Sequence, residues 1–199
     1  MKTLFKILGR KKILIASTLM ATLLAPLANA ANYVVDTKGA HASVNFKIKH
    51  LGYSWLTGRF DRFDGKFSYD PANVGASKIE MNIDASSINT NHAERNKHLK
   101  SGDFLETNKF ANAKFVSTKI TDKGNGKLAI NGTLSLHGVN KDIVIDAQKV
   151  GEGKDPWGGY RVGFSGTTVL TLKDFGIKMD LGPASAQVYM ELYVEGIRQ

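Results

Sequence analysis

From residue 31 onward the apolar side chains fall on every second position, segment after segment, and this period of two constrains the fold more than any other feature. In "AHASVNFKIKH", Ala42, Val44, Phe46, Ile48 and His50 share one face, and Ser43, Asn45, Lys47 and Lys49 share the other. Successive side chains of a strand point to opposite faces, so the pattern describes a half-buried strand. The same period carries Ile79, Met81, Ile83 and Ala85, then Leu128, Ile130, Gly132, Leu134 and Leu136, then Ile143, Ile145 and Ala147. It returns in Val162, Phe164, Gly166, Thr168, Leu170 and Leu172, and in Val188, Met190, Leu192 and Val194. Less regular strands are expected at 32–37, 57–69 and 113–121, with turns at Asp64-Gly65, Asp70-Pro71, Gly124-Asn125-Gly126, Asn140-Lys141 and Gly158-Gly159. Eight or nine such antiparallel strands close as a barrel or stack as a sandwich. The length of segments such as 160–173 favours an all-β antiparallel barrel of about eight strands.

A barrel of that size is just wide enough to be filled by its own side chains or to hold one small ligand. Its inner rows are short of volume at Ala42, Ala85, Gly132, Ala147 and Gly166. These residues either leave room for a ligand or ease curvature and mark bulges. If a ligand is held, its interior contacts would be Val44, Phe46, Ile48, Met81, Ile83, Ile130, Gly132, Leu134, Phe164, Gly166, Thr168, Leu170, Met190 and Leu192.

One stretch breaks the alternation: "SSINTNHAERNKHLKSGDFLE", residues 86–106. Asn91 followed by Glu94 fits an N-cap with an acid at the third helical position, and Gly102 is a stop signal, so a helix is expected from about His92 to Lys100. His92, Arg95, Asn96 and Leu99 would share one face, with Phe104 and Leu105 following as an apolar edge. A short polar helix of this kind suits a lid across one barrel mouth, or else a surface crossover. As a lid it would bring His92, Arg95, Leu99 and Phe104 close to His50, Tyr53 and Trp55.

The first thirty residues read as an address. Lys2, Lys6, Arg10, Lys11 and Lys12 precede an apolar run from Ile13 to Leu27 and the A-x-A site Ala28-Asn29-Ala30, which predicts a signal peptide cleaved after Ala30. The apolar run is short of the ~20 residues that a spanning helix needs. Residues 31–199 then form a single domain, expected in the periplasm. The formal net charge of +9 falls to +4 once the five leader cations are removed, which gives no argument for a nucleic-acid partner. There is no cysteine, so neither disulfides nor lipidation at cysteine enter.

Catalytic and metal signatures are missing from the pattern. His92 and His98 stand six apart, about 240° around a helix, and cannot face one ion. There is no H-E-x-x-H, no glycine-rich phosphate loop, and no strand-to-helix elbow behind Ser165. No catalytic residue, metal or cofactor is expected, and binding is favoured over catalysis on a small apolar substrate or a stress-related structural role with a filled core. On the last strand Gln187, Tyr189, Glu191, Tyr193 and Glu195 take the outward parity, and the two tyrosines suggest a homodimer.

The stretches "HASVNFKIKHLGYSWLTGRF" (41–60), "NTNHAERNKHLKSGDF" (89–104), "GTLSLHGVNK" (132–141), "DPWGGYRVGF" (155–164) and "KDFGIKMDLGPAS" (173–185) resemble the YceI-like family, in family order along nearly the whole mature chain. That resemblance implies a lipocalin-like barrel, exported to the periplasm and often dimeric. It also implies an apolar interior that binds a polyisoprenoid chain such as an isoprenoid quinone; for such a ligand a transient membrane contact is a further expectation.

Overall fold

The computed structural model describes residues 30–199; the leader, and with it the expected cleavage, lies outside the described residues. Eleven strands follow in chain order: β1 (Ala31–Val35), β2 (Ser43–His50), β3 (Ser54–Phe60), β4 (Phe63–Tyr69), β5 (Lys78–Asp84), β6 (Ile88–Asn89), β7 (Asn112–Gly124), β8 (Lys127–Leu136), β9 (Val139–Lys154), β10 (Tyr160–Thr171) and β11 (Gln187–Arg198). Among the described residues one α-helix, α1 (Ala93–Leu99), sits between β6 and β7. All pairings are antiparallel, and β1-β4-β5-β7-β8-β9-β10-β11 close into an eight-stranded barrel through the β1–β11 pair. The alternation expected from the sequence is realised in these ladders.

Two breaks give the barrel its shape. β11 pairs with β2 through Val188–Tyr193 and with β1 through Gly196–Arg198, so β1 and β2 succeed each other along one edge. The strand expected at 57–69 is likewise two strands, because β3 pairs with β2 and β6 whereas β4 pairs with β1 and β5. Ser87 holds the bend between them: its carbonyl accepts from the Asp61 N–H at 3.1 Å and its hydroxyl from the Arg62 N–H at 3.0 Å.

The break between β1 and β2 is tied by an ion cluster that the sequence pattern does not reveal. Asp36, only 5% exposed, receives Arg161 Nη1 at 2.7 Å, the Gly39 N–H at 2.8 Å and His41 Nδ1 at 2.9 Å. Arg161 also reaches Asp155 at 2.8 Å and Glu195 at 2.6 Å. The Arg161 guanidinium, then His41 and the Gly39 amide, hold the Asp36 carboxyl well below the ordinary carboxylate range.

At the end where β1 begins, aromatic rings fill the barrel. Tyr33 and Phe67 stack at 5.0 Å between centroids, and Phe164 meets Phe67 and Tyr69 edge-on at 5.9 and 5.2 Å. Val162 beside them is 1% exposed. Such ring pairs add to area burial, so this end is the mechanical anchor of the fold.

Candidate functional site

The other end is open inside. A cavity of about 430 Å³ runs from the barrel centre to the mouth formed by the ends of β2, β8, β10 and β11. Its walls are apolar almost throughout: Val44, Phe46 and Ile48 from β2, Ile83 from β5, Leu134 from β8, Leu170 from β10, and Met190 from β11. Beyond it, Met81, Ile130, Phe164, Gly166 and Leu192 line a narrow distal space of about 90 Å³ against the ring plug. The tube is therefore wide at the mouth and nearly blind at the far end.

The insert closes one side of the mouth. Arg95, His98, Leu99, Phe104 and Leu105 line the cavity together with His50. The helix begins one residue later than its N-cap signal suggested: His92 is the cap, and its Nδ1 accepts from the Arg95 N–H at 3.2 Å. A cap has extended backbone, so His92 leaves the face expected of it and does not line the tube; the lining face is Arg95, His98 and Leu99. Arg95 is fixed from behind, with Nε on the Thr90 hydroxyl at 2.7 Å and Nη2 on the Thr90 carbonyl at 2.6 Å. His98 Nε2 sits 2.9 Å from Asp103, and its ring lies edge-on to Phe104.

The opposite side of the mouth is closed by the β10–β11 connection, residues 172–186, which the period-two pattern does not describe. It turns through 3₁₀ segments and sends Leu172, Phe175, Ile177, Leu181 and Ser185 to the cavity. Phe175 and Ile177 are buried apolar residues spaced two apart, which is the signal that was there to be read. His137 joins the two flaps. Its Nδ1 donates to the Phe175 carbonyl at 2.9 Å, its ring lies 4.6 Å from Phe110, and its Nε2 is 3.8 Å from Glu106.

Four expected contacts lie elsewhere. Gly132 is not open to the cavity, because a Cβ there would collide with the Phe115 ring and the Val116 carbonyl oxygen. The glycine lets a neighbouring ring lie flat against the wall, as aromatic residues do over strand glycines. Thr168 lines an outer groove of about 510 Å³ along β9, β10 and β11. The β9–β10 ladder ends at Asp146 and Thr167, and the Thr168 hydroxyl donates to the Val144 carbonyl left beyond it, at 2.8 Å. Trp55 stands outside the tube with its ring edge-on to Tyr189 at 5.3 Å, and Tyr53 projects from the β2–β3 turn at 87% exposure.

The polar residues lining the cavity are Lys49, His50, Arg95, His98 and Ser185, all at the mouth. Ser185 accepts from the Leu51 N–H at 3.3 Å and donates to the Lys49 carbonyl at 2.6 Å, fastening the turn to the 172–186 flap. Chemically, the site is a hydrocarbon sleeve with a basic rim.

Comparison with known proteins agrees with this geometry. Residues 33–195 match the profile of the YceI-like domain. A UPF0312 protein of Shewanella denitrificans is 64% identical over 190 residues, covering 95% of this chain and all of the relative. The crystal structure of Burkholderia cenocepacia BcnA superposes with a TM-score of 0.72 at 19% identity, over 81% of this chain and 98% of that one. A polyisoprenoid-binding domain from Saccharophagus degradans superposes at 0.61 with 17% identity, over 86% of this chain and the whole of that one. At these identities the two structures show the fold.

Proposed function

The chain belongs to the YceI-like family, and from the one-ended apolar tube it builds we propose that it binds the hydrocarbon tail of a polyisoprenoid lipid, carrying or storing it in the periplasm. The observation that carries this reading is the lining: the cavity is apolar over its whole depth and every polar side chain is gathered at the mouth. At roughly 0.8 kcal/mol per buried CH₂-sized group, each five-carbon unit taken in gains about 4 kcal/mol before the cost of ordering the tail. The polyisoprenoid binding of the Saccharophagus degradans domain, which shares the fold, supports the same ligand class. An isoprenoid quinone fits this scheme, with ring oxygens facing the hydrogen-bond donors of Arg95 and His98. Export follows from the charged, apolar and A-x-A regions of the leader. The outward Tyr189 and the exposed Tyr193 support a homodimer through β11. Binding without turnover is expected, since the lining brings no nucleophile and base together.

Native mass spectrometry of protein purified from its own periplasm, followed by organic extraction, tests the reading. A retained lipid of prenyl mass in stoichiometric amount is the expected result. An empty protein that also fails to take up a prenol would sink it.

A further inference from the structure

The tube's lip is apolar on its outside as well, and we propose that this lip docks on the anionic surface of a lipid bilayer, so that the tail passes between membrane and tube without crossing water. This inference rests on the carrier reading above. Leu51 and Leu181 line the cavity and are also exposed, so the tube's apolar lining continues out over the rim. Tyr53 and Trp55 extend the same patch, Tyr53 with almost none of its ring covered. Aromatic residues of this kind favour the water–hydrocarbon boundary of a membrane.

The backbone gives a second, independent sign. Leu51 and Gly52, the central residues of the turn from His50 to Tyr53, have φ of 52° and 86°. Positive φ at both positions is the requirement of the type I′ turn, for which Asn-Gly is the favoured pair. At the far end of the barrel the β7–β8 turn meets it in that way, with Asn125 and Gly126 at 53° and 74°. A leucine in the left-handed region is sterically disfavoured and, at a turn tip, leaves its side chain in water. Its presence at the mouth is accounted for by something apolar that it meets there.

Charge selects the partner. The Lys47 and Lys49 ammonium groups flank the Trp55 ring at 5.5 and 5.7 Å. No carboxylate of the described residues pairs with Lys49, nor with Lys97 and Lys100 of the insert or Lys178 beside tube-lining Ile177. Of the nearby acids, Asp103 is turned to His98 and Asp180 to the Gly182 N–H at 2.7 Å, and Glu94 in the first turn of α1 is the acid of the insert that is in no ion pair. An apolar lip ringed by uncompensated lysines complements a bilayer bearing anionic lipid, where basic side chains near the surface are attracted.

The chain holds two tryptophans, Trp55 at the mouth and Trp157 at the plugged end, and they make the test internal. Trp157→Phe leaves Trp55 as the reporter, and Trp55→Phe leaves Trp157. Each protein is titrated with vesicles of phosphatidylglycerol and phosphatidylethanolamine whose acyl chains are brominated, which quench indole on contact with hydrocarbon. Trp55 is expected to lose most of its emission while Trp157, although 77% exposed, keeps its own. Replacing the anionic lipid by phosphatidylcholine weakens binding by about tenfold or more, the attraction of a few lysines. Tyr53→Glu lowers vesicle affinity further but leaves uptake of geranylgeraniol, measured without vesicles, unchanged. Equal quenching of both tryptophans, or of neither, overturns the proposal; with neither quenched, the lip faces a protein. Prenol bound without Trp55 quenching sinks the docking surface alone, whereas Trp55 quenching without prenol uptake sinks the carrier reading and leaves the surface standing.

Discussion

The two ends of the barrel are built from the same strands with the same alternation, yet one is a core and the other a cavity. At the packed end, rings from β1, β4 and β10 meet across the lumen, and Tyr33, Phe67, Tyr69 and Phe164 leave about 90 Å³ between them and their neighbours. At the mouth the inward residues are mainly Leu, Ile and Val, the ring of Phe46 lies over Gly58 at the wall, and about 430 Å³ stays free. Ring placement, more than hydrophobicity, decides which half holds a ligand. A second difference concerns closure: at the packed end a short 3₁₀ turn, Val74–Ala76, lays Val74 against the distal space, whereas two longer irregular flaps frame the open one.

If the packed end is the anchor, truncation there should cost far more than at the mouth. Phe67→Ala is expected to lose about 3–5 kcal/mol, the range for a phenylalanine removed from a packed core. Ile48→Ala, facing space already empty, should lose about 1 kcal/mol. Urea denaturation with an unchanged slope measures both, and equal losses would break the comparison.

A smaller effect belongs to the ion cluster between β1 and β2. The Asp36 carboxyl titrates lower in the folded chain than the value of about 3.9 expected when unfolded. Its contribution is therefore fully present above that unfolded value and is lost as pH falls through the folded one. Thermal midpoints of the wild type should hold from pH 7 to about 4 and drop below it. Arg161→Ala should lower the midpoint at neutral pH and flatten the acid limb. An acid limb identical in the two proteins would remove Arg161 from the account.

The smallest expected signal is in the insert. Helix α1 has no buried residue, so its amides should exchange faster than those of β7 and β8 in the empty protein and slow when a prenol is added. Exchange that is slow from the start would mean that the insert is as firm as the wall and gives way nowhere.

The barrel, the inward rows and the polar insert at the mouth were legible in the sequence because each rests on local periodicity. What was hidden depends on contacts between distant strands. The division of 57–69 at Asp61 follows from the separate partners of β3 and β4. The filling of the space at Gly132 follows from Phe115 on the next strand. The Arg161 cluster joins residues 125 positions apart. His92 and His98 exchange places for a local reason: Ser, Thr, Asp and Asn are the usual caps, so the sequence points to Asn91 as the cap, whereas Asn91 has φ of 58° and His92 caps. The flap at 172–186 has no long period of either kind and shows in the sequence only through the Phe175 and Ile177 pair and as a stretch shared with a family.

A passage open at one end and plugged at the other imposes an order on whatever threads it. Under the proposed function a lipid tail would enter foremost and leave last, and its head group would be the part nearest to an acceptor. The rings of Phe67 and Phe164 would then act as the stop of a ruler: a chain longer than the open chamber would either turn them aside or leave its remaining units at the mouth. Length selection in this protein would be set at the end farthest from the entrance.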